Sequence, residues 1–259
     1  MLAEGIDSMS TEETFWKYFK EIFEELPRQG PGTRKSTERA LKSIPLLNRE
    51  NRILDIGSGT GAQTIDLARA TEAHITAIDN HPAFVEKLVK RSTELGFNKR
   101  ITAKVGDMAD LKFPDESFDV VWSEGAIFVI GFAQGLSSWR RLLKPGGHMV
   151  ISEYCWFKDD PPKELVELHF DGCPEAGTVM ARKKDIEAQG YKLLDEFVLP
   201  AAGWWENFYD PLGHVLKRFR EKHSGNAEAL EVASKCQMEI DICRKYPDFF
   251  GYVFFVLKS

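Results

Sequence analysis

"RILDIGSGTG", residues 52–61, sets a short apolar run directly against three glycines on alternate positions, Gly57, Gly59 and Gly61. The apolar run has the length of a buried strand. The stretch that follows, "GAQTIDLARA", spaces its apolar residues as a helix does. Strand, glycine turn and helix in that order make the first unit of a mostly parallel α/β sheet. In such a sheet the loop after the first strand lies at the carboxyl rim, where ligands bind. Glycine there permits positive φ and lets a ligand approach the main chain with no Cβ in the way.

Outward from this unit the alternation continues. "HITAID" predicts a second strand, with the helix "PAFVEKLVKRSTELG" behind it and Gly96 as its C-cap. "ITAKVGD" and "FDVVWSEGAI" predict strands three and four. "AQGLSSWRRLL" predicts a helix closed by "KPGG", and "HMVISEY" a fifth strand. After "KDDPP" the pattern loosens, and the stretch holding His169 and Asp171 has no assignment. "VMARKKDIEAQG" predicts a helix, and "YKLLDEFVL" and "GYVFFVLKS" the sixth and seventh strands. Ahead of the sheet, Phe15, Phe19, Ile22, Phe23 and Leu26 fall at helical spacing, and "TRKSTERALKSI" predicts a second helix. The expected organisation is therefore an N-terminal helical cap over 1–47 and one domain over 48–259. Residues 201–248 form a helical, aromatic insertion before the last strand.

Across 259 residues, 43% are hydrophobic and 29% charged, with a net charge of −6, the composition of an ordinary globular domain. That charge is the wrong sign for a surface built to neutralise phosphates, so no nucleic-acid partner is expected. Residues 1–10 lack a basic and then apolar leader, and no apolar run is long enough to span a bilayer. The four cysteines are scattered without metal-ligand spacing. They imply reduced thiols in a cytoplasmic protein. No metal is expected, and the expected state is a monomer or homodimer.

The chemistry of the ligand is carried by Asp55 and the glycine spacing. Dinucleotide binders use GxGxxG to seat a pyrophosphate, whereas this chain has GxGxG. A carboxylate two residues before the first glycine repels a pyrophosphate but attracts an ammonium or a sulfonium. S-adenosylmethionine (SAM) has both cations and no phosphate.

"ILDIGSGTG", "AIDNHP", "VGDM", "FDVVWSEGAI" and "LLKPGGHMVISE" occur in the order and spacing of class I SAM-dependent methyltransferases. The chain resembles the ubiquinone/menaquinone-biosynthesis type of that family over residues 48–157. The resemblance implies a Rossmann-like seven-stranded sheet of order 3-2-1-4-5-7-6, its last strand antiparallel, with helices on both faces. It implies that Gly57, Gly59 and Gly61 pass the methionine end and that Asp55 holds its ammonium, directly or through water. Asp79, about 20 residues after the glycines, takes the ribose hydroxyls. Asp107 and Met108 meet the adenine, as does Asn80, where the family usually has an apolar residue. Ser123 and Glu124 contact the methionine end and begin the acceptor pocket.

Methyl transfer is an in-line displacement that depends on positioning. It needs a base only where the nucleophile must lose a proton. Glu124 and Glu153 end strands four and five and are the candidate bases, though each also fits an ordinary strand-end acid. His74 and His148 start their strands, at the wrong edge. Phe128, Tyr154, Trp156, Trp204, Trp205 and Tyr209 are the candidate acceptor-pocket residues, and packing of the cap is their other reading. Aromatics beside carboxylates suit an amine. The expected function is methyl transfer from SAM to a small molecule, an amine among them. A SAM-binding sensor or scaffold without turnover, and an NAD-dependent oxidoreductase, remain the alternatives. The "RQGPGTR" stretch is either a lid over the cofactor or a helix-breaking linker.

Overall fold

The computed structural model describes residues 11–170 and 176–259, so Asp171 lies outside the described residues. Its strands are β1 Arg52–Ile56, β2 His74–Asp79, β3 Ile101–Val105, β4 Phe118–Glu124 and β5 Leu143–Trp156, then β6 Gly177–Thr178, β7 Lys192–Val198 and β8 Phe250–Lys258. They form one sheet of order β3-β2-β1-β4-β5-β8-β7. The first five run parallel, and β8 lies antiparallel between β5 and β7. With β6 set aside, this is the order expected from the sequence. The two-residue β6 pairs with Cys155 and Trp156, on the side of β5 that β4 leaves at Ser152. Two residues carry no periodicity, so the sequence gives no sign of it.

The helices are α1 Thr11–Glu24, α2 Arg34–Leu41, α3 Ala62–Ala70, α4 Pro82–Glu94, α5 Phe132–Arg140, α6 Lys163–Phe170 and α7 Val179–Ala188. After β7 come α8 Ala201–Trp204, a π-helical turn Trp205–Tyr209, α9 Asp210–Lys222 and α10 Ala227–Lys245. No described helix is long and apolar enough to cross a membrane.

Side chains alternate across a strand, and here both faces are covered. Ile53, Val120, Trp122, Val150 and Tyr154 pack with α1, α3, α4, α9 and α10. Their neighbours Leu54, Val121, Met149 and Ile151 pack with α5 and α7 on the other face. Double-sided burial explains the unbroken apolar runs in the strand sequences. Each fully buried Leu, Ile or Val contributes about 1.5–3 kcal/mol against leaving it in water.

Two local expectations are corrected. "KPGG" does not close α5; it lies inside β5, which begins at Leu143. The pairing with β4 slips between Phe118 and Val120, and a Cβ on Gly147 would stand 2.9 Å from the Lys144 carbonyl, so the glycine serves a bulge rather than a helix end. Helix α6 was unassigned, and over the side chains described, 163–168, Leu165 is its one strongly buried apolar position.

Candidate functional site

The glycine turn joins β1 to α3 at the carboxyl rim. Gly57, Gly59 and Gly61 have φ of 73°, 54° and 83°, a region that L-residues avoid. Each would also collide with the protein itself. A Cβ would stand 2.4 Å from the Ala126 methyl at Gly57, 2.6 Å from Gln29 Oε1 at Gly59 and 2.1 Å from Leu88 Cδ1 at Gly61. The chain's own packing therefore requires these glycines, independently of any ligand.

Asp55 sits beneath the turn, wholly buried. Thr64 Oγ1 donates to one of its oxygens at 2.5 Å and Gln63 Nε2 to the other at 3.3 Å. Burial pushes its carboxyl up to about 7, with the charge of Glu124 acting in the same direction and the two hydrogen bonds and Arg28 opposing. Asp79, the last residue of β2, accepts the Gly59 N–H at 2.8 Å and the His81 N–H at 2.9 Å. It thereby fixes the glycine turn to the start of α4. Burial raises its carboxyl, against those backbone hydrogen bonds. Asn80 is exposed beyond it.

Asp107 is exposed and accepts the Ala109 N–H at 2.8 Å, closing an Asx turn. That turn carries Met108 to the rim, with its Cε 3.5 Å from where a Gly57 Cβ would be. The Met108 carbonyl accepts the Trp139 indole N–H at 3.0 Å. Ser123 points elsewhere: it is buried and donates to the Ile56 carbonyl at 2.9 Å, tying β4 to the end of β1.

Glu124 is the hub of the rim. Its carboxylate is paired with the buried Arg28 guanidinium and accepts from Thr37 Oγ1 at 2.8 Å and Trp122 Nε1 at 2.9 Å. Glu153, by contrast, lies 3.8 Å from Arg182 of α7, whose guanidinium stacks 4.8 Å from the Phe132 ring. It faces the α5–α7 side, so the structure does not bring the two candidate acids together.

Residues 25–32, between α1 and α2, run as a strap across the glycine turn. Gln29 Oε1 accepts the Thr60 N–H at 2.7 Å, and the Pro27 carbonyl accepts from Thr60 Oγ1 at 3.5 Å. At the strap's far end, the Gly32 N–H donates to the Gly203 carbonyl at 3.1 Å, and the Gly32 carbonyl accepts from Asn207 Nδ2 at 2.9 Å. At its near end, Glu24 pairs with His81 at 2.7 Å, and the Lys87 ammonium donates to the Glu24 carbonyl. Arg28, Gln29, Thr37 and Asn207 went unnoticed in the sequence, where "RQGPGTR" stood out only for its glycines.

Beyond Glu124 the rim is aromatic. Tyr154 lies 5.2 Å from Trp156 and stacks 5.1 Å from Phe250, and Trp204 lies 5.4 Å from Phe250 and 4.9 Å from Tyr252. A Cβ on Gly125 would stand 2.7 Å from the Tyr252 ring, which brings this wall to the residue after Glu124. Phe128 is half-buried against the same core. Phe250 and Tyr252 were missed because the last strand was read for its length alone. Tyr209 is buried within the helical layer, its hydroxyl 3.0 Å from the Glu239 carboxylate, to which it donates, and 3.2 Å from Cys243 Sγ; burial holds that hydroxyl well above the usual range. Trp205 touches Tyr209 at 5.2 Å and has the Arg244 guanidinium 5.0 Å from its ring.

With this geometry in view, residues 53–147 match the family model described as methyltransferase domain. The chain is 33% identical over 167 residues to a demethylmenaquinone methyltransferase of Clavibacter sepedonicus, covering 64% of this chain and 63% of that protein. It is 35% identical over 123 residues to a sterol 24-C-methyltransferase of Yarrowia lipolytica, covering 47% of this chain and 32% of that one. The matched segments thus span less than two thirds of these relatives' own lengths. A crystal structure of a SAM-dependent methyltransferase from Geobacter sulfurreducens in complex with S-adenosyl-L-homocysteine superimposes with a TM-score of 0.80 at 22% identity. That likeness covers 93% of this chain and 97% of that one. Residues 53–147 thus match a methyltransferase domain, and the chain has the fold of that SAM-dependent methyltransferase structure. Its sequence relatives include quinone-methylating enzymes, the type that the motifs resemble.

Proposed function

We propose that this protein transfers the methyl group of SAM to a small molecule. The observation that carries the reading is the charge arrangement around the glycine turn. Three carboxylates, Asp55, Asp79 and Glu124, share the rim with one buried guanidinium, Arg28. That set fits a ligand with an ammonium, a sulfonium, a carboxylate and a ribose. SAM, when bound, supplies an electrophilic methyl on sulfur.

The chain's own residues hold and orient. Asp79 takes backbone N–H groups on both of its oxygens, and its remaining lone-pair capacity serves the ribose hydroxyls. Met108 offers an apolar surface to the base, flanked by Asn80 and Asp107. Asp55, enclosed by Thr64 and Gln63, reaches an ammonium through water or by sharing its oxygens, while Ser123 acts through the β1–β4 register. Glu124 is engaged by three donors and serves as a positioning residue. Glu153 braces α7. Rate enhancement in this reading comes from orientation and exclusion of water rather than from a dedicated base.

The acceptor reading is an amine, as the aromatic faces of Tyr154, Trp156, Trp204 and Tyr252 attract a cation while Glu124 is already neutralised by Arg28. The buried free thiols Cys236 and Cys243 support a reducing, cytoplasmic setting. The test is a methyl-transfer assay against amines, phenols and carboxylic acids, read by S-adenosylhomocysteine release, beside calorimetry with SAM and NAD. Turnover of amines supports both levels of the reading. Turnover of phenols or acids alone removes the amine, binding without release against any extract turns the protein into a sensor, and no heat with SAM overturns the whole.

A further inference from the structure

We propose that Arg28 reads the carboxylate of the cofactor's methionine end, an inference that rests on the SAM reading above. Arg28 lies in the strap, outside the matched domain of residues 53–147. Its side chain is 9% exposed, a degree of burial that a guanidinium tolerates only with partners. The described residues give it one hydrogen-bonding partner, Glu124, through Nη2. A guanidinium has five N–H donors in a planar fork, suited to a carboxylate on more than one edge. The pair with Glu124 leaves Nε and Nη1 for a second acceptor.

The strap is shaped around this group. A Cβ on Gly32 would stand 2.1 Å from Arg28 Nη2 and 2.3 Å from its Cζ, so the Gly-Pro-Gly run makes the room in which the guanidinium lies. The other charged groups that feel Arg28 are Asp66 of α3, which is paired with Arg69, and Arg91 of α4. Arg28 is also close enough to Asp55 for its charge to act there, alongside that of Glu124. An amino-acid end carries one positive and one negative group on the same carbon. A rim that sets Asp55 near the Arg28–Glu124 pair offers charge of both signs, and it disfavours a ligand whose tail lacks the carboxylate.

The experiment is a cycle between protein and ligand, read by calorimetry on the full chain. Wild type and Arg28→Lys are each titrated with S-adenosylhomocysteine, with its decarboxylated analogue S-adenosyl-3-thiopropylamine and with 5′-methylthioadenosine. Removal of the ligand carboxylate is expected to weaken wild-type binding at least ten-fold and Arg28→Lys binding no more than about three-fold. Methylthioadenosine should bind both proteins within two-fold. Equal losses for all three ligands in the variant would reduce Arg28 to a structural residue and overturn the proposal. So would a wild type indifferent to the carboxylate. A wild type that binds none of the three instead fails the SAM reading beneath it. Should Arg28→Lys not fold, Arg28→Gln takes its place in the same cycle, and a loss that does not depend on the ligand carboxylate overturns the proposal.

Discussion

Gln29 of the strap and Thr60 of the glycine turn are joined by a 2.7 Å hydrogen bond, and the same side-chain oxygen fills the space above Gly59. The amide nitrogen donates back to the carbonyls of Phe23 and Leu26, at 3.1 and 3.2 Å. One side chain therefore closes the end of α1 and covers the turn.

Gln29→Ala is expected to cost about 1–3 kcal/mol, because it strands a partly buried N–H in the turn and two carbonyls at the helix end. Gln29→Glu keeps the acceptor for Thr60 but loses both donors. Urea unfolding should rank wild type above the Glu variant and the Ala variant lowest; equal midpoints for all three would show that the contact carries no stability.

Gly61→Ala meets two separate penalties. Its φ of 83° costs about 1–2 kcal/mol with a Cβ present, and the 2.1 Å approach to Leu88 adds an overpacking cost of about 1–3 kcal/mol. A second substitution, Leu88→Ala, removes the collision while opening a cavity of its own. The double mutant should therefore lose less than the sum of the two single changes, which a denaturation cycle measures directly.

Asp55 makes stability depend on pH in an uncommon direction. Its folded carboxyl is raised to about 7 from an ordinary value of 3.8. Between those values the folded protein keeps a proton that the unfolded chain has released, so stability falls as pH rises through the window. Asp55→Asn should flatten that slope, measured from unfolding midpoints at pH 4.5 and 7.5. A cation bound nearby favours the ionised form, so S-adenosylhomocysteine affinity should increase as pH passes from 6 to 7.5 in wild type and not in the Asn variant.

Glu124→Ala leaves the buried Arg28 guanidinium without its partner and should cost about 3–5 kcal/mol. Glu124→Gln retains acceptors for Thr37 and Trp122 and should cost less. As a positioning residue rather than a base, Glu124 can be replaced by Gln without changing the shape of the pH–rate profile. Loss of the acidic limb, the rise of rate with pH that a carboxylate base imposes, would return Glu124 to the role of proton acceptor.

The strands were legible because both faces of the sheet are buried, which writes them as apolar runs. The glycine turn was legible because three glycines in five residues leave few other structures. The Arg28–Glu124 pair was not legible: 96 residues separate the partners, and no local pattern links them. Glu153 is a different case, since the signal was present. Adjacent residues on one strand face opposite sides, so Glu153 and Tyr154 cannot line one pocket. Tyr154 went with the apolar set of Val150, and Glu153 with α7. Trp204 and Trp205 divide similarly, because the chain passes there from α8 into a π-helical turn whose wider winding rotates successive side chains.

The strap has one further consequence. Within four residues, Gln29 is fastened to the turn beneath the donor's seat and Gly32 to the wall bearing Trp204. A displacement large enough to break either anchorage pulls on the other through a stiff Gly-Pro-Gly joint. The glycine turn and the aromatic wall are thus mechanically joined, so that a shift at one end of the joint is felt at the other.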